Sequence, residues 1–342
     1  MVTKIGLDLG YSNITISDLT TGISRESSIA LIDKNTSRIL TLGDKALEGA
    51  GENGVLVRPF KNGMLYSSEL TQAIMQSAMA AVGEDTDIRC IIGLPSDFTP
   101  KQTKELLGML SAAGAREVYG VKRAMAALVG AGASPKDSLI SVNIGAAATD
   151  ILVLCEGNIL FSSTEPIGGE NFDTAVQEYI LSQGDVRVAL SVAKAIKERL
   201  GAVWPGRGND SIDIEGTLSL TGNRINMNIA TEDILGVFEK PLEKLLMAIA
   251  GQVKKIPLES VPKIFEKGIL LSGGGSLLYG LDKMVEKVLD VPVMRAQDPI
   301  NCVARGLSRI HTFLPMHMRV NQRDITEKLA KYYEVKKQKS SL

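Results

Sequence analysis

Two short stretches of this chain are written on one pattern. Ile5-Gly-Leu-Asp-Leu-Gly-Tyr-Ser-Asn-Ile-Thr-Ile16 reads as strand, tight glycine turn and strand, with apolar residues alternating on both sides of Gly10. Val142-Asn-Ile-Gly-Ala-Ala-Ala-Thr-Asp-Ile-Leu-Val153 aligns with it without a gap, setting Asn143 on Asp8, Ile144 on Leu9 and Gly145 on Gly10, an offset of 135 residues. That offset is the length of one domain, so the pair reads as a duplicated domain whose two hairpins face each other across a cleft. Two unrelated hairpins would give the same pattern, because glycine turns are common. A chain of 342 residues is long enough for two such lobes.

The segments between the hairpins alternate in type. Ser68 to Val82 and Pro100 to Ala113 carry apolar residues at three and four spacing, and Pro100 suits a first helical turn. Cys90-Ile-Ile-Gly-Leu-Pro95 just before it is a short apolar strand. Ala189 to Leu200 is an amphipathic helix stopped at Gly201, and residues 203–230 predict a small β excursion. Lys267 to Gly275 is a buried strand running into a glycine turn, with a helix expected from there through Leu289. Alternating strands and helices make an α/β fold.

Several function classes fall away on composition. The 38 Lys and Arg residues against 39 Asp and Glu give no global attraction to nucleic acid. His311 and His317 are the only histidines, too few for most triads and histidine metal sites. Cys90, Cys155 and Cys302 are scattered without metal-ligand spacing, which suits a reducing cytoplasm. No apolar run reaches the roughly 18 to 20 residues that span a bilayer.

Collinear motifs then add a resemblance. They are Val57-Arg-Pro-Phe-Lys-Asn-Gly63, Ala113-Gly-Ala-Arg-Glu-Val-Tyr119, Met125-Ala-Ala-Leu-Val-Gly-Ala-Gly132, Ile167-Gly-Gly-Glu-Asn-Phe-Asp173, Gly268 to Leu281, and Asp298-Pro-Ile-Asn-Cys-Val-Ala-Arg-Gly306. In this order, over about 250 residues, they resemble the bacterial actins of the MreB and MamK kind, within the actin, sugar-kinase and heat-shock ATPase superfamily. The resemblance implies an actin-like fold of two duplicated, ribonuclease-H-like lobes around a nucleotide cleft, each with a smaller subdomain. Expected boundaries are 1–139 for lobe I with 299–316 returning to it, 140–298 for lobe II with a small β subdomain near 181–240, and a basic tail over 317–342.

The resemblance also implies roles. ATP or ADP would lie against the turns Gly10, Tyr11, Ser12, Asn13 and Gly145, Ala146, Ala147, Ala148, where small residues let backbone N–H groups approach phosphate. Asp8 would hold Mg2+ through water. Lys197 and Glu198, with Gly273, Gly274 and Gly275, would frame base and ribose. Set against the family pattern, this chain departs in both hairpins and at the catalytic helix. Asn143 stands where an Asp is usual, Tyr11 where a small hydroxyl residue is usual, and Ala146 and Ala147 add methyl groups. Lys122 and Arg123, in a helix expected over Val121 to Met125, replace two acidic residues near the attacking water. A cation there cannot accept the water's proton, so hydrolysis should be slow or absent; Asp150 remains as a group able to position water.

The implied function is a cytoplasmic cytoskeletal protein stacking head to tail into filaments, organising cell shape or organelle position such as the magnetosome. The alternatives are a nucleotide-independent scaffold or regulator of a paralogous filament, and a phosphotransferase of the sugar-kinase branch. Over 319–342, seven basic residues stand against three acidic ones. Ile325, Leu329, Tyr332 and Tyr333 share one helical face there, which predicts a basic amphipathic helix for a membrane or protein partner, or else a solvated end.

Overall fold

Each glycine hairpin is the first half of a larger sheet. In the computed structural model, which describes residues 2–49, 54–61, 64–65, 67–83, 87–314 and 323–333, the first sheet begins with β1 (Val2–Leu9), β2 (Asn13–Asp18) and β3 (Gly22–Ser27), paired antiparallel in sequence. β4 (Asp87–Leu94) then lies parallel to β1, and β5 (Ala115–Lys122) parallel to β4. The second sheet repeats the plan: β6 (Leu139–Ile144), β7 (Thr149–Cys155) and β8 (Asn158–Glu165) are antiparallel neighbours, with β9 (Ile269–Ser272) parallel to β6 and β10 (Val293–Arg295) parallel to β9. Both sheets therefore run third, second, first, fourth, fifth, which is the duplicated α/β architecture expected. The first gains one more strand, β11 (Arg323–Asp324), parallel to β5 at its edge.

Local chemistry explains the helices that cover these sheets. Parallel neighbours need a crossover, and α1 (Ser68–Val82) and α2 (Pro100–Ala112) supply two of them. Ser67 caps α1 by accepting from Leu70 N–H, and Thr99 with Gln102 forms a capping box ahead of Pro100. Every residue of β6 and β7 is buried, as their near-continuous apolar runs require of strands covered on both faces.

The sheets are joined by two helices crossing backbone to backbone. α3 (Arg123–Gly130), α4 (Gly169–Gly184) and α5 (Leu190–Leu200) follow in the chain, and α6 (Cys302–Ile310) returns to lie against α3 and β1. A Cβ added to Gly130 would fall 1.8 Å from Cys302 O, and one added to Gly306 would fall 1.8 Å from Ala126 O. Only glycine allows that approach. Around the crossing, one core takes residues from both sheets, including Ile91, Tyr119, Leu152 and Leu270. Ser211–Leu218 and Arg224–Ala230, after α5, form the β excursion, and Val186–Arg187, ahead of α5, joins them as a third strand.

Three local expectations are corrected. Val121 and Lys122 close β5, so the helix thought to begin there starts at Arg123. The glycine turn runs first into a 3-10 turn, Gly274–Leu277, and the helix through Leu289 begins only at Leu281. The tail is neither a free amphipathic helix nor a solvated end over residues 323–333. Ile325 and Leu329 are buried and Tyr332 and Tyr333 pack on the same core, while Thr326 Oγ1 accepts from Lys122 N–H at 2.9 Å. Its apolar face is spent inside the molecule, because β5 offered an unpaired edge. The rest of the proposed tail, 317–322 and 334–342, lies outside the described residues.

Candidate functional site

The two turns have one geometry. Gly10 N–H donates to Asn13 O at 3.0 Å, and Gly145 N–H donates to Ala148 O at 2.9 Å, closing loops flanked by the pairs Leu9–Ile14 and Ile144–Thr149. Around the first, Ser12 O accepts from Ser28 N–H, and Arg58 Nη1 donates to Tyr11 O at 3.0 Å with its guanidinium carbon 5.0 Å from the Tyr11 ring centre. In the second, Gly145 and Ala146 stay part-exposed while Ala147 and Ala148 are buried. Of the alanines expected to crowd a phosphate, only Ala146 keeps an open side. Its carbonyl and that of Gly145 accept from the N–H groups of Glu170 and Gly169, so the N-terminus of α4 is tied to this turn.

At the cleft floor the two sheets exchange charge. Arg123 Nε donates to Asp150 Oδ2 at 2.8 Å, with the arginine side chain 12% and the aspartate 2% exposed. Asp150 Oδ1 accepts from Thr164 Oγ1 at 2.6 Å, and Ser96 N–H lies 3.4 Å away. Both oxygens of the carboxylate thought able to position water are thus engaged. Asp8 is only partly exposed, and its Oδ1 is sealed from solvent without a hydrogen-bond partner. Burial pushes its carboxyl up to about 6, against the pull of Arg123 and with the push of Asp150. Across from it, Asn143 Oδ1 accepts from Ser272 Oγ at 3.3 Å. Lys122 turns aside, its Nζ donating to Ser162 Oγ at 2.6 Å.

The side of the cleft built by the second sheet brings together some expected residues and separates others. Tyr11 reaches over from the first turn, its hydroxyl donating to Glu170 Oε1 at 2.9 Å; burial and then Glu170 push that hydroxyl up to about 12. Lys197 Nζ lies 2.6 Å from Asp173 Oδ1 and donates to Gly169 O at 3.0 Å, beside the second turn. Glu198 does not join it: its side chain is 62% exposed and its nearest cation is Lys194 at 3.8 Å. Gly273 and Gly275 are packing glycines, because a Cβ on either would fall 2.3 Å from Ile144, at its carbonyl oxygen and its Cγ2 respectively. Gly274 faces open space.

A nucleotide fits this arrangement in its polyphosphate part, since glycine-opened turns and the bare face at Gly274 leave room for close backbone approach. Magnesium does not fit. Between the two hairpins, among the described residues, Asp8 and Glu170 are carboxylates without an ion-pair partner, Glu170 holding the Tyr11 hydroxyl instead; Asn143 carries no charge, and no group of three or more His, Cys, Asp or Glu stands together. A dication a few ångströms from the Arg123 guanidinium would meet repulsion on the order of several kcal/mol, even at an effective dielectric of about 20.

Glu170, Asp173, Arg58 and Thr164 belong to the site and were not singled out as site residues from sequence. Arg58, Glu170 and Asp173 do lie inside the collinear motifs, which is the signal that could have found them.

The family model described as MreB/Mbl protein matches residues 2–319. The cell shape-determining protein Mbl of Bacillus cereus is 30% identical over 312 residues, covering 88% of this chain and 93% of its own. The cell shape-determining protein MreB of Escherichia coli is 28% identical over 327 residues, covering 92% and 94%. Among solved structures, MreB5 of Spiroplasma citri bound to ADP superimposes with a TM-score of 0.85 at 23% identity, over 91% of this chain and 97% of that one. The MamK double helical filament gives 0.79 at 21%, over 92% and 100%.

Proposed function

The chain belongs to the MreB/Mbl protein family, and on that premise we propose that it is an actin-like cytoskeletal protein whose copies stack head to tail into filaments. A nucleotide held between the two hairpin turns biases assembly and is hydrolysed slowly or not at all. The relatives whose names denote cell-shape determination support a role in cell shape, exercised in the cytoplasm. The lobe boundaries at 139 and 298 belong to the same reading.

The observation that carries it is the pair of turns with the same closing bond, Gly10 to Asn13 and Gly145 to Ala148, set on two sheets of the same strand order. That is the arrangement a polyphosphate bridges, and the neighbours with ADP and AMPPNP bound support it. Poor hydrolysis is supported by Arg123, which occupies Asp150 and puts a cation where a water-orienting carboxylate is needed.

High-speed pelleting with electron microscopy tests the reading, run without nucleotide, with ATP and with a non-hydrolysable analogue, alongside phosphate release. Nucleotide-dependent filaments with little phosphate released are expected. Filaments in every condition would remove the nucleotide's part in assembly, and their absence in every condition would favour the second reading, a nucleotide-independent scaffold or regulator of a paralogous filament, which the direct Arg123–Asp150 and Tyr11–Glu170 links across the cleft support. No filaments in any condition sinks the polymer.

A further inference from the structure

The cleft floor already contains a cation, and its free end is unclaimed. The Arg123 stem passes over Gly93, where an added Cβ would lie 2.9 Å from Arg123 Cγ and 3.6 Å from Asp8 Oδ1. The side chain and the Asp8 carboxylate therefore converge above one glycine, while Nε is anchored on Asp150 at 2.8 Å. Asp150 is the cross-strand partner of Asn143, and Asp8 and Asn143 each stand two residues before the glycine of their turn. That places the guanidinium between the mouths of both hairpins. Among the described residues no group accepts from Nη1 or Nη2, and neither atom is among the sealed, partnerless ones.

We propose that Nη1 and Nη2 of Arg123 form a fixed anion site that takes phosphate oxygens of a nucleoside polyphosphate directly, so that this cleft binds nucleotide without a divalent metal. The inference rests on the nucleotide reading above and deepens it. A guanidinium is planar and permanently charged, and it presents paired donors that match two phosphate oxygens. Anchoring through Nε orients that pair and removes most of the rotamer freedom an exposed arginine would lose on binding. The same residue explains why Asn143 is tolerated: with a cation built into the chain, a second metal-holding carboxylate has no task. It also assigns Asp8 an unusual part. In a metal site its charge would help binding, whereas beside a directly held phosphate it opposes binding.

The test is isothermal titration of the full chain with ATP, in EDTA and in magnesium chloride. Affinities within about threefold of each other are expected, as is tighter binding in EDTA by Asp8→Asn. Arg123→Gln should weaken binding in EDTA by about tenfold or more, the loss of one charge-assisted hydrogen bond. Because Arg123→Gln leaves Asp150 buried without its partner, Arg123→Lys is run beside it; it keeps the charge, loses the fork, and should fall between the two, with far-ultraviolet circular dichroism reporting the fold. Binding that appears only with magnesium, or that Asp8→Asn abolishes, overturns the inference and leaves the nucleotide reading standing. Absence of ATP binding in both arms overturns both.

Discussion

The two hairpins share a backbone and differ in what they do with it. Both close with a glycine N–H on the carbonyl three residues on, at 3.0 and 2.9 Å. The first carries a carboxylate one residue before its strand ends, Asp8, with a partnerless oxygen, and sends Tyr11 across the cleft. The second carries an amide at the matching place, Asn143, whose oxygen accepts from Ser272, and turns Ala147 and Ala148 inward. Turn geometry follows from register and glycine, which duplication preserves, while chemistry is carried by side chains that each copy changes independently. A site can keep its shape for phosphate and lose one half of its charges.

The largest expected effect breaks the second hairpin's electrostatics. Asp150→Ala strands Arg123 without its partner and should cost about 3 to 5 kcal/mol in urea unfolding, whereas Asn143→Ala, removing a neutral pair, should cost about 1 kcal/mol. Equal losses would mean that the buried ion pair is not what distinguishes this copy.

The strands behind the turns differ in sensitivity to acid. β1 is pinned by His311, whose Nε2 meets Ile5 O at 2.8 Å, while β6 is pinned by the neutral Ser141 hydroxyl on Ala124 O at 2.8 Å. Burial pulls the His311 imidazole down to about 4 from its ordinary value of 6.5. Below 6.5 the unfolded chain takes up a proton that the folded one refuses, so this group removes stability as pH falls from about 6.5 to about 4 and has no effect above that window. The wild type should therefore lose up to about 3 kcal/mol relative to His311→Gln across that range. Parallel stability curves for the two proteins would refute the assignment.

Smaller effects sharpen the same contrast. Gly275→Ala pushes a methyl group into Ile144, directly behind the second turn, and should lower stability by about 1 to 3 kcal/mol. Gly274→Ala, one residue away in open space, should stay within about 0.5 kcal/mol of wild type in thermal denaturation. Tyr11→Phe deletes the bond to Glu170 and should cost about 1 kcal/mol, with faster amide exchange at the start of α4 as its local signature.

Much of this protein was legible one residue at a time. The twin hairpins, the helices at Ser68 and Pro100, the strand before Pro95 and the family itself were all readable, because alternation, glycine turns and helical spacing act over a few residues. What the site does with its charges was not. Arg123 and Asp150 are 27 residues apart, Tyr11 and Glu170 are 159 apart, and Lys122 meets Thr326 over 204, so no local pattern announces these contacts. Adjacent Lys197 and Glu198 part company because neighbours on a helix point about 100° apart, one toward α4 and one to solvent. The apolar face of the tail could be seen in sequence, but only the tertiary structure decided its partner, since an amphipathic face records that something covers it and not what does.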